Sequence, residues 1–114
     1  MTLSELQWDA LIDSAEQSGD LGRKAAFAIA SMSVLAVAIE SKDIIIAMDR
    51  CAIEWESIGA QYGGGSGGTR YLRDLCFSLD RGSERVGLRG LWNLDLRNRG
   101  VVLAALMKYL AVGA

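Results

Sequence analysis

Four carboxylates near the start of the chain, Glu5, Asp9, Asp13 and Glu16, recur at spacings of four, four and three residues. On a helix that spacing lines them along one side. Paired carboxylates presented from one face can share a proton in acid–base chemistry or hold a hard cation. The same stripe is also what an ordinary solvent-facing helix carries. A second series has the opposite sign: Arg81, Arg85 and Arg89, again four apart, then Arg97 and Arg99. Guanidinium groups pair bidentately with carboxylate or phosphate, so this row suits an anionic surface. It can track nucleic-acid phosphates, with Trp92 and Tyr71 as stacking platforms, or it can meet a carboxylate stripe on a protein.

Other chemistry is removed by what the chain lacks. It contains no histidine and no proline. The usual general base, the usual metal ligand and the usual helix breaker go together, and classical triads are excluded. Cys51 and Cys76 lie far apart in sequence on apolar helical faces and read as two reduced, buried thiols, which suits a cytoplasm. The glycine run Gly63–Gly68 has neither the lysine nor the flanking strand of a phosphate-binding loop. We therefore expect no enzyme activity, no cofactor and no metal. The sequence shows no signal peptide, polybasic tail or membrane-spanning segment, and no membrane partner is expected.

The elements that must position these residues are helical by periodicity. Thr2 with Glu5 suggests a capping box for a helix running to about Ser18 and ended by Gly19. Asp20 can cap a second helix, about residues 21–40, whose run from Ala25 to Ile39 is apolar on every side. That run is shorter than the ~20 apolar residues of a bilayer span, so it is expected as the buried centre of a bundle. A third helix, from about Lys42 to Ala60, would place Ile44, Ala47, Met48, Cys51, Ala52, Trp55 and Ile58 on its core face and Ile46 and Ile53 on another. That second side is a candidate exposed ridge. Thr69 can cap a helix through about Leu79, with Gly82 closing it. Residues 83–98 read as a short irregular helix and Val101–Val112 as a last helix, a second buried one.

The predicted fold is all-α: a compact bundle of five or six helices around the central one, with a death-fold-like arrangement as a fold-level analogy. The stretch Gly63–Gly68 has the composition of a flexible connector, and we read it as an engineered linker. It would join a native segment of residues 1–62 to another of residues 69–114, the two forming one domain. A circular permutant, a fusion of two partner chains and a replaced loop all leave this trace. The first segment holds four basic and ten acidic residues, the second eight basic and four acidic. Mean hydropathy of +0.21 and a hydrophobic fraction of 51% are high for so small a domain and imply a covered surface. The expected function is thus a non-catalytic protein–protein interaction module, homotypic or adaptor. Its surface would comprise Glu5, Asp9, Asp13, Glu16, Ile46, Ile53, Arg81, Arg85, Arg89, Arg97 and Arg99. The alternative is a small nucleic-acid-binding regulatory domain that uses the arginine-rich segment 70–99.

Overall fold

The computed structural model describes residues 2–47, 50–58, 67–82 and 87–109. Its hub is helix α2, Leu21–Met32, whose Asp20 cap accepts the Arg23 amide at 3.0 Å. Helix α1, Glu5–Ser18, and α4, Gly67–Arg81, pack against α2, as does α5, Leu96–Tyr109. Phe27 and Ile29 of α2 meet Leu11, Leu72 and Val102 from those neighbours in one continuous core. The fold is mostly helical, and its radius of gyration of 13.2 Å is that of a folded domain of this length.

The helix expected over 21–40 is broken. Met32 is followed by Ser33 in extended conformation and then by the single turn α3, Leu35–Ala38. Serine competes for backbone hydrogen bonds, and here the Ser33 hydroxyl accepts the Leu35 amide while the Asn98 side chain accepts that of Val34 at 3.1 Å. The break changes which side chains face inward. Met32, Val34 and Val37 reach solvent, whereas Leu35 and Ile39 are fully buried.

Among the described residues, a hairpin stands where the third helix is expected. Strands β1, Ile44–Ala47, and β2, Arg50–Ile53, form an antiparallel hairpin in which Ile44 pairs with Ile53 and Ile46 with Cys51. A 3-10 turn, Trp55–Ser57, comes next. Three consecutive β-branched side chains favour extended backbone, and short apolar runs fit either period, so the helical spacing was degenerate. The hairpin's base is fixed by buried Asp43, whose carboxylate accepts the Glu40 amide and the Ser57 hydroxyl. Its second strand is tied to α1 by the Ser14 hydroxyl, which accepts the Cys51 amide.

At the ends of the helices the caps differ by a few residues from those expected. Ser4 and Gln7, not Thr2 and Glu5, form the reciprocal box of α1. Gly19 and Gly82 close α1 and α4 at φ of 71° and 70°, where a Cβ would be strained. Helix α4 starts at Gly67, ahead of Thr69, so Gly67 and Gly68 belong to its first turn; residues 63–66 of the connector lie outside the described residues. Leu88–Asn93 is a 3-10 helix, and α5 begins five residues before the expected Val101, with Asp95 accepting the Asn98 amide at 2.8 Å. Only Asn98, Val102 and Ala105 of α5 are buried, so it is a surface helix and not a second central one. Among the described residues no helix is long and apolar enough to cross a membrane.

Candidate interaction surface

Helix α1 turns Leu11 and Ala15 inward and leaves Glu5, Asp9, Asp13 and Glu16 exposed along its outer side. Glu16 pairs with Lys24 of α2 at 3.6 Å. Glu5, Asp9 and Asp13 make no ion pair with another described residue, so the row keeps its self-repulsion of ~0.2–0.5 kcal/mol per neighbouring pair.

The arginine series does not form a matching row. Gly82 ends α4 one residue after Arg81, and Arg89 lies in the following 3-10 helix, so the four-residue spacing does not run along one helix. Arg85 lies outside the described residues. Arg81 is exposed beside Asp80, and Arg89 is exposed in an open depression with Trp92. Arg97 is exposed on α5, while Arg99 turns back and donates to the carbonyls of Leu94 at 2.9 Å and Trp92 at 3.2 Å. That makes Arg99 a half-buried clamp on the end of the 3-10 helix. Ile53 must also be removed: the hairpin places it in the core, while Ile46, on the opposite strand and 77% exposed, stays outside.

Sequence periodicity did not single out the exposed apolar stripe of α5. Leu96, Leu103 and Met107 of α5 are 80%, 47% and 67% exposed, and their spacing of seven and four puts them on one stripe. Alongside them an open groove of about 710 Å³ runs between α5, Met32 of α2 and Ile12 of α1. Its floor is made of small residues, Ala28, Ser31, Gly100 and Ala104, and Arg97 and Lys108 mark its ends. The signal lay in the sequence of α5, whose apolar residues surround the helix: one small protein cannot bury all sides of its last helix.

A polar node lies inside the molecule. Asp80 of α4 is buried and accepts Arg23 Nε at 2.7 Å on one oxygen and Trp55 Nε1 at 2.8 Å on the other. Arg23 also stands over the Phe27 ring, which packs tilted against Trp55. Four residues before Asp80, the Cys76 thiol donates to the Ala26 carbonyl at 3.4 Å. Burial, reinforced by the Asp80 charge, pushes this thiol far above its ordinary range. Folded and unfolded chains both hold that proton below about pH 8.5, where the stabilising effect is complete. Above it the unfolded chain loses the proton first, so stability falls, with a slope that approaches ~1.4 kcal/mol per pH unit as the unfolded thiol becomes fully ionised. Urea unfolding between pH 8.5 and 9.5 is expected to show this slope and Cys76→Ala to flatten it; equal slopes would overturn the assignment.

Among the described residues no three acidic or cysteine side chains gather as a metal would require. No protein-family model, no curated protein and no solved structure matches the chain.

Proposed function

We propose that this chain is a non-catalytic helical interaction module that assembles homotypically, with docking to another helical partner as the adaptor form of the same role. The observation that carries the reading is the exposed apolar stripe of α5 beside a groove ended by Arg97 and Lys108. A contiguous apolar patch rimmed by charge is how soluble proteins present a docking surface: the apolar centre drives association and the rim steers it. Sedimentation velocity over a concentration series tests it. Mass is expected to rise with concentration and to fall as salt is added, and Met107→Lys is expected to hold the protein monomeric at its normal melting temperature. A wild-type monomer at every concentration would overturn homotypic assembly.

One observation favours a second reading, a small nucleic-acid-binding regulator. Trp92 is 71% exposed and shares an open depression with Arg89, an arrangement in which a base can stack beside a phosphate contact. Against it stands the formal net charge of −2. Salt-dependent quenching of tryptophan fluorescence by random-sequence RNA or DNA is what this reading requires.

An engineered join at residues 63–68 remains our reading of the glycine run. What supports it is its composition and the way α4 and α5, from the later segment, complete a core around α2, from the earlier one. A permutant and a fusion of partners both need that shared core. A cytoplasmic setting agrees with two cysteines that are free thiols, one of them buried.

A further inference from the structure

Resting on that assembly reading, we propose that the groove beside α5 receives the outer face of α1 from a second copy of this chain, so that copies join head to tail. The groove's floor admits a helix closely because its side chains are small, and a Cβ built on Gly100 would meet nothing within 4 Å. Its two cations, Arg97 and Lys108, stand eleven residues apart on α5, about 16 Å along the axis. Neither makes an ion pair with another described residue.

The outer face of α1 has the complementary features. Leu6 is 80% exposed, and Ala10, one turn on, is exposed with it, so an apolar ridge stands free on that helix. Beside the ridge run Glu5, Asp9 and Asp13, which span about 12 Å, within reach of two long cationic side chains placed at the groove's ends. A row of carboxylates alone would be a wet face. A large exposed leucine set into that row is what a basic-ended apolar groove fits, and contact would relieve the row's repulsion.

Ridge and groove are different patches of one molecule, so the contact is heterologous and repeats from copy to copy unless a ring closes. That property gives the test. Leu6→Asp removes the ridge and leaves the groove; Gly100→Glu fills the groove with a like charge and leaves the ridge. Both changes lie on exposed helix positions, and circular dichroism is expected to show wild-type folding and melting for each. In sedimentation, the wild type is expected to grow with concentration and each variant alone to stay monomeric. A one-to-one mixture is expected to give a species of twice the monomer mass and nothing larger, because it contains one intact ridge facing one intact groove. A mixture that stays monomeric while the wild type assembles, or a single variant that assembles like the wild type, would each overturn the ridge-to-groove contact and leave self-assembly standing. A wild type that never assembles would overturn both.

Discussion

Leu35→Asp is expected to abolish the cooperative unfolding transition, while Val37→Asp, two residues along, is expected to leave the melting temperature within about a degree or two of the wild type. Leu35 is fully buried at the start of α3, in the same core as Phe27, Ile39 and Leu72. An unpaired carboxylate there loses its hydration without gaining a partner, at a cost of several kcal/mol against the ~5–15 that hold a domain of this size together. Val37 is 64% exposed, and a charge at its position stays in water. The contrast is steeper than a continuous buried helix would allow, because there both side chains would be inside. Circular dichroism and thermal melting of the two variants decide it: a well-folded Leu35→Asp protein, or an unfolded Val37→Asp one, would contradict the break at Ser33.

That break also shows where the sequence stopped being legible. Helices α1, α2 and α4 could be read from their apolar spacing and from local end signals such as Asp20, Gly19 and Gly82, because those act within a few residues. The interruption after Met32 depends on Asn98, 64 residues away, whose side chain satisfies the freed Val34 amide. No local pattern announces such a partner. The hairpin was hidden for a different reason. Four-residue strands are too short to show a period, and Ile44, Cys51 and Trp55 fit a helical face as well as an alternating one.

The candidate surface was legible to a similar degree. The carboxylate row lies within one uninterrupted helix, so its spacing translates into one exposed side. The arginine row crosses a left-handed glycine and a change of helix type, and equal spacing in sequence no longer means a common face. Asp80 was missed although its position carried a signal. It lies four and eight residues after Cys76 and Leu72, on the buried stripe of α4, where a carboxylate is expected only with partners.

Asp80→Ala is expected to destabilise the domain by about 3–5 kcal/mol, the loss typical of breaking a buried ion pair from one side. The substitution leaves Arg23 with an uncompensated charge whose side chain is mostly covered, and leaves the indole N–H of fully buried Trp55 without its acceptor. Three parts of the fold meet at this carboxylate: α4, which supplies it, α2 through Arg23, and the turn after the hairpin through Trp55. Asp80→Asn keeps an oxygen for the indole and loses the charge, so it is expected to fall between wild type and alanine. The double change Asp80→Leu with Arg23→Met removes both charges and refills the space, and is expected to recover a large part of the loss, since apolar replacements of buried pairs are often close to neutral. Glu16→Ala, by contrast, breaks a pair whose carboxylate is 53% exposed and is expected to cost no more than about 1 kcal/mol. Urea unfolding of the four variants reads the series. An Asp80→Ala protein as stable as Glu16→Ala, or a double variant no better than the single, would show that the carboxylate does not join α2, α4 and the hairpin turn in the way its contacts imply.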